Sequence, residues 1–307
     1  MTEPEEVSSA TSARDDVTGL SGDAGESARP IGIETALGLR HGPAEGLKRL
    51  RLTIAYCGTP WKGWQSQAGG GAIQDIVNAA FEKAIGFPAR VQGSGRTDAG
   101  VHALGQVAHV DVPVSARLGD EAWVRALNAR LPTSIRVLDV AECDPLFHAR
   151  FDAFGKVYRY RIWRPRQASP FEADRSWHVH GPLDVDGLRW GCGQLIGTHN
   201  FVRLSANRGD LPETERRRRS DKTTRTIRRA ELREVGEVLE FEFEGDGFLY
   251  KMVRLLVGSL MHLARGRETR DWFAGLLSDP SGPQSNQTAP AGGLYLVRVI
   301  YPDSAVG

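Results

Sequence analysis

The stretch VLEFEFEG, residues 238 to 245, limits what this chain can fold into more than any other. Leu239, Phe241 and Phe243 alternate strictly with Glu240, Glu242 and Glu244. A period of two puts three apolar side chains on one face of a strand and three carboxylates on the other, whereas a helix would scatter both sets around its axis. Such a strand belongs in a sheet with one face covered and the other charged, which is the habit of antiparallel sheets.

Other segments repeat the pattern. Leu50, Leu52, Ile54 and Tyr56 alternate in LRLTIAY, and Tyr158, Tyr160 and Ile162 share one face of KVYRYRIWR. GQVAHVDV, IRVLDVA and GLYLVRVIY read as further strands. The cover comes from stretches with helical spacing. Ile73, Ile76, Val77, Ala80, Phe81, Ala84 and Ile85 form one stripe that Gly86 stops. Trp123, Ala126 and Leu127 mark a helix from about Asp120 to Leu131, and Leu188, Cys192, Leu195 and Ile196 mark another near residues 184 to 196. FLYKMVRLLVGSLMHLARG predicts a largely buried helix stopping at Gly266, followed by a short one in RDWFAGLL. Strands and helices alternate in two sets without the regular spacing of parallel crossover units. The expected fold class is α+β, with two halves built on antiparallel sheets flanked by helices. Residues 47–150 would form the N-terminal half and 151–307 the C-terminal half.

Residues 1–46 carry nine acids against three arginines, a net −6, with no apolar periodicity, and read as a disordered acidic tail. Since the whole chain is +1, the remainder is +7, a balance that permits nucleic-acid binding. Much of the excess is local. Residues 203–233 hold eleven Lys/Arg against five acids, around a basic insertion at about 205–223 that contains Arg216, Arg217, Arg218 and Arg219. A solvated loop is the default for such a run, but its excess in an otherwise near-neutral protein favours phosphate contact. No apolar run of about 18 residues predicts a membrane span. The N-terminus lacks the order of a secretory signal, and three widely spaced cysteines suit a cytoplasmic protein.

The candidate chemistry begins in GSGRTDAGVHALGQVAHVDV, residues 93 to 112. Arg96 and Asp98 stand two apart and would meet on one face of an extended segment, where a guanidinium keeps a carboxylate ionised for work as nucleophile or base. A Gly-rich turn with Asp98 bonded to its own backbone accounts for the same residues. His102, His109 and Asp111 raise a metal site, or a metal-dependent nuclease, but no cysteine or second cluster completes a ligand set, so no metal is expected. Tyr158 and Tyr160, interleaved with Lys156, Arg159 and Arg161, fit either base stacking or ordinary core packing. Arg254 sits between Val253 and Leu255 in an apolar helix, with no acid at Tyr250 or Gly258. If buried, it needs a partner from elsewhere in the fold, and an active-site carboxylate is one candidate.

GSGRTDAGVHALGQVAHVD closely resembles the signature of the tRNA pseudouridine synthase A family. The likeness continues in family order through YCGTPWKGWQSQ, LPTSIRV, FHARFDAFGKVYRYRI, FLYKMVRLLVGSL and APAGGLYLVRVIYP, from about residue 48 to 302. The acidic tail and the basic insertion exceed the family core. The resemblance implies two related halves with a basic active-site cleft between them, used as a homodimer that grips tRNA. It implies isomerisation of uridine to pseudouridine at positions 38 to 40 of the anticodon stem-loop, with no cofactor. Asp98 would be the catalytic aspartate and Tyr158 would stack on the flipped uracil. Arg254 would hold Asp98 ionised, and Arg96 would extrude the nucleotide or contact its phosphate. The rival is an RNA-binding protein in which catalysis is secondary or lost.

Overall fold

The computed structural model describes residues 41–206 and 223–302. The tail expected at 1–46 therefore falls almost wholly outside the described residues, as do Arg216 to Arg219. Among the described residues, ten strands form one sheet. In chain order they are β1 (Leu47–Tyr56), β2 (Gln92–Gly93), β3 (His102–Pro113), β4 (Ile135–Glu142), β5 (Gly155–Trp163), β6 (Trp177–His178), β7 (Gly197–Asn200), β8 (Thr224–Val235), β9 (Val238–Gly245) and β10 (Leu294–Ile300). Among the described residues, five α-helices accompany them: α1 (Ile73–Ile85), α2 (Asp120–Asn128), α3 (Val185–Leu195), α4 (Met252–Ala264) and α5 (Arg270–Ser278).

The main path runs β4-β1-β3-β10-β5-β9-β8-β7, with β2 beside β3 and β6 beside β5. The α+β architecture expected from the alternation is present, and its two series of strands lie side by side. The last strand, β10, joins them: it pairs antiparallel with β5 and parallel with β3.

Register explains which face is covered. Leu52 stands opposite Ala108, Leu296 opposite Ala103 and Tyr158, Tyr158 opposite Phe243, and Phe243 opposite Ala230. Opposed residues share a face, so these side chains form one apolar surface across the sheet. They belong to a single core cluster with Val77 and Phe81 of α1, Trp123 of α2, Leu188 of α3, Leu256 of α4 and Phe273 of α5. The reverse face of β5, β8 and β9 carries the charges: Arg159 meets Glu240 and Glu242, Arg161 meets Glu240 and Glu172, and Arg229 meets Glu242. The carboxylates of VLEFEFEG thus face arginines two strands wide, which suppresses the repulsion that three stacked acids would suffer.

Three helix ends depart from the sequence pattern, and α2 is the first, closing at Asn128 rather than Leu131. Ile196, counted on the apolar stripe, is the extended C-cap of α3 and is exposed. The stretch beginning at Phe248 does not enter its helix until Met252, because Lys251 takes the left-handed conformation at φ 58°. That break frees Phe248 and Leu249 from helical directions and places Arg254 in the first turn of α4.

Candidate active site

The segment from Gly93 to Asp98 is fixed at nearly every residue. Ser94 N donates to Val107 O at 2.7 Å, and Gln106 Nε2 donates to Gly95 O at 2.7 Å. Trp64 N donates to Thr97 O at 3.1 Å, Tyr56 Oη and Thr97 Oγ1 lie 2.9 Å apart, and Val101 N donates to Asp98 O at 3.1 Å. Gly63 permits the contact with Thr97. It has φ +91°, and a Cβ there would stand 2.5 Å from Thr97 O. A loop held this way gives its carboxylate one direction, which is what preorganised chemistry requires.

Asp98 meets a guanidinium, and it belongs to Arg254. Arg254 Nη1 donates to Asp98 Oδ2 at 3.1 Å, while its Nε donates to Ala289 O at 2.7 Å. The two side chains retain 23% and 15% exposure, so the pair is shielded but the carboxylate still opens to a cavity. Arg96 points elsewhere, with Nε donating to Gln65 Oε1 at 3.2 Å. The guanidinium beside Asp98 is therefore that of Arg254, and Arg96, expected there from its spacing, reaches Gln65. The stretch does turn after Asp98, where Val101 N meets Asp98 O, but the carboxylate itself is bonded to Arg254, so neither reading left open for it holds as stated.

The cavity has a volume of about 820 Å³. Among the described residues lining it, Asp98 is the one carboxylate, set against Lys62, Arg96, Arg150, Lys156, Arg225 and Lys251. Tyr158 forms part of the wall, 8% exposed, with Phe248 packed edge-on at 5.0 Å between ring centroids. Burial raises the Tyr158 phenol well above its ordinary pKa, so it stays protonated at neutral pH. Tyr160 is a core residue instead, donating its hydroxyl to Pro290 O at 2.8 Å. The alternation of aromatic and basic residues therefore splits: Lys156 and Tyr158 face the cavity, and Arg159 and Arg161 bind acids on the reverse face.

The suspected metal ligands are engaged in other contacts. His102 accepts from Gly58 N through Nδ1 at 3.1 Å, which leaves Nε2–H facing the carbonyls of Asp174 at 2.8 Å and Gly292 at 3.1 Å. His109 Nδ1 accepts from Ala149 N at 3.2 Å, and Asp111 receives both Nε and Nη2 of Arg49. Among the described residues no group of three His, Cys, Asp or Glu side chains is placed to hold a metal ion, and no helix is long and apolar enough to cross a membrane.

Sequence reading missed several wall residues. Phe248 and Tyr250 are invisible as site residues because helical periodicity absorbs them, and Arg150 lies in an irregular segment without period. Lys156 carried a signal, since it stands two before Tyr158 on a strand and must share its face.

One carboxylate paired with a guanidinium beside an aromatic wall, rimmed by cations, makes a site suited to a polyanionic substrate. Comparison with known proteins is more specific. A family model described as tRNA pseudouridine synthase matches residues 52–152 and 192–302. A tRNA pseudouridine synthase A of Akkermansia muciniphila is 44% identical over 266 residues, covering 85% of this chain and 98% of that relative. Proteins of the same name from Exiguobacterium sibiricum and Geobacillus kaustophilus are 40% and 38% identical, covering 85% and 84% of this chain and 100% and 96% of themselves. The chain belongs to the tRNA pseudouridine synthase family, a class of isomerases.

Proposed function

We propose that this protein converts uridine to pseudouridine in the anticodon stem-loop of tRNA, at positions 38 to 40, with Asp98 as the catalytic carboxylate. The relatives' shared name and the match over most of the chain support the reaction class. The single observation that carries the assignment of residues is the Asp98–Arg254 pair, 3.1 Å apart and opening on a cavity walled by Tyr158.

The chemistry balances internally. The C1′–N1 bond breaks, the uracil turns, C1′ joins C5, and the proton lost from C5 is matched by the one N1 gains. Reactant and product are isomers, so no oxidant, reductant or group donor enters the sum. Asp98 can attack C1′, attack C6, or take the 2′ proton to give a glycal. Each route needs the carboxylate ionised and the base held out of its stack. Arg254 holds the carboxylate by a hydrogen bond, and the loop bonds from Ser94 to Thr97 fix its direction. Tyr158 offers a flat face to the flipped uracil and a protonated hydroxyl near the reacting ring. Arg96, which lines the cavity beside Gln65, would meet the nucleotide's phosphate or the space it leaves. Arg216 to Arg219 would add further phosphate contacts. The homodimer and the cytoplasmic location rest on the family resemblance, on the tRNA substrate, and on cysteines that are all free.

The test is incubation of purified protein with unmodified tRNA in EDTA, followed by chemical mapping of pseudouridine. Pseudouridine at positions 38 to 40 is expected from the native protein, and none from Asp98→Asn, which should bind tRNA as tightly. Substantial turnover by Asp98→Asn would remove Asp98 from its role. Loss of all activity in EDTA would favour the nuclease-like metal reading.

A further inference from the structure

Lys156 is one of the cavity cations that the mechanism above leaves unused. It stands on β5 two residues before Tyr158, so both side chains leave the same face of the strand. Its ammonium donates to Ser94 O at 2.9 Å, one residue from Gly95 and four from Asp98. Among the described residues, no carboxylate lies within ion-pair distance of it, although the neighbouring β5 cations Arg159 and Arg161 each have acids. Burial, with a smaller push from Arg150, lowers its pKa to about 8. An ammonium in that state has two N–H donors beyond the one on Ser94 and no counter-charge, and an anion would satisfy both wants.

Gly95 bears on the same place. A Cβ added at Gly95 would stand 2.7 Å from Lys156 Nζ and 3.5 Å from its Cε, with no backbone atom nearer. The absence of a side chain at residue 95 is what lets the ammonium lie flat on the catalytic loop. The obstruction to a larger residue is therefore the tip of Lys156 itself, a flexible group that can be displaced without disturbing the fold.

Building on the proposed RNA substrate, we infer that Lys156 is a phosphate-binding residue of the site: its ammonium, seated on Gly95, receives the phosphodiester of the nucleotide whose base is held against Tyr158. One strand then supplies both halves of the grip, an aromatic face for the base and, one pleat away, a charge for the backbone. The arrangement also ties substrate to catalyst, because the lysine that takes the phosphate is bonded to the loop that aims Asp98.

The measurement is binding of an unmodified tRNA transcript across a salt series, with pseudouridine formation and thermal unfolding followed in parallel. Lys156→Gln should bind about tenfold more weakly and have a salt slope shallower by about 0.7 to 0.9, the loss of one phosphate contact. Gly95→Ala should weaken binding in the same direction, with an unfolding midpoint near that of the native protein. The double variant should bind no worse than Lys156→Gln alone, since both changes remove one interaction. If Lys156→Gln fails to fold, Gly95→Ala carries the test unaided. A lysine that only anchors the loop would lower turnover and leave the salt slope unchanged, and that result overturns the inference. So would losses that multiply in the double variant. A native protein that binds tRNA but forms no pseudouridine defeats the isomerase reading alone, because the salt slopes still decide the phosphate contact. A native protein that does not bind tRNA defeats both.

Discussion

Asp98 and Arg254 are 156 positions apart in the chain and 3.1 Å apart in space. The carboxylate comes from the loop between β2 and β3, and the guanidinium from the first turn of α4. Their meeting depends on β10, which lies between β3 and β5 and draws the strands of both series into one sheet. Residues just before β10 complete the seat: Ala289 N donates to Arg254 O, and Ala289 O accepts from Arg254 Nε. The guanidinium thus has one edge fixed by backbone and the other free to hold Asp98.

Arg254→Gln should therefore lower kcat far more than it raises KM. It removes a charged hydrogen bond of about 1.5–3 kcal/mol, roughly a 10- to 100-fold loss in rate. Arg254→Lys should fall between, since an ammonium keeps the charge but cannot hold Ala289 O and Asp98 in one planar fork. Steady-state kinetics on tRNA decide this. A raised KM with unchanged kcat would make Arg254 a substrate-binding residue instead.

The sheet's covered face was legible because VLEFEFEG and KVYRYRIWR state their periods openly, and the site's carboxylate because Asp98 lies among glycines beside an arginine. What stayed hidden is non-local. Nothing in GLYLVRVIY says that it will lie between two strands distant in sequence, since a strand's alternation reports its faces and not its neighbours. The apolar run from Phe248 could not reveal the left-handed Lys251 that delays the helix and releases Phe248 to pack on Tyr158. The need of Arg254 for an outside partner was readable from charge and hydrophobicity, but its choice of Asp98 came from the family resemblance and from the folded chain. The same holds for Arg96, whose spacing from Asp98 pointed to a pair, whereas the folded chain gives Asp98 to Arg254 and Arg96 to Gln65.

Tyr158 separates two contributions. Tyr158→Phe keeps the ring against Phe248 and should bind tRNA within about twofold of the native protein while turning over more slowly. Tyr158→Ala removes the platform and should weaken binding by about 1–3 kcal/mol, the usual worth of a base stacked on an aromatic ring. Equal losses of binding in the two variants would show that the hydroxyl, and not the face, holds the substrate.

The four arginines from Arg216 to Arg219 test the reach of the surface beyond the pocket. Replacing all four with Ala should flatten the salt dependence of tRNA binding by up to about three units of log–log slope, and leave kcat at saturating tRNA near its native value. Binding that is unchanged across the salt range would make that run a solvated segment with no part in recognition.

His109 gives the fold an acid-sensitive point away from the cavity. It is 2% exposed, and its Nδ1 must keep a lone pair to accept from Ala149 N. Burial, with nearby His148 and Arg49, pushes its pKa down to about 3, against a smaller opposing pull from Asp111. The unfolded chain takes up a proton at about 6.5 that the native fold refuses. Stability is therefore complete above pH 6.5 and falls as pH drops towards 3, by up to about 1.4 kcal/mol per pH unit from this residue. His109→Asn can still accept from Ala149 N through its amide oxygen, which stands where Nδ1 does, and has nothing to titrate. Urea midpoints measured from pH 7 to pH 4 should decline less steeply in that variant than in the native protein. Parallel declines would place the acid sensitivity in other groups, with His102 and His148, whose burial lowers them too, the next to replace.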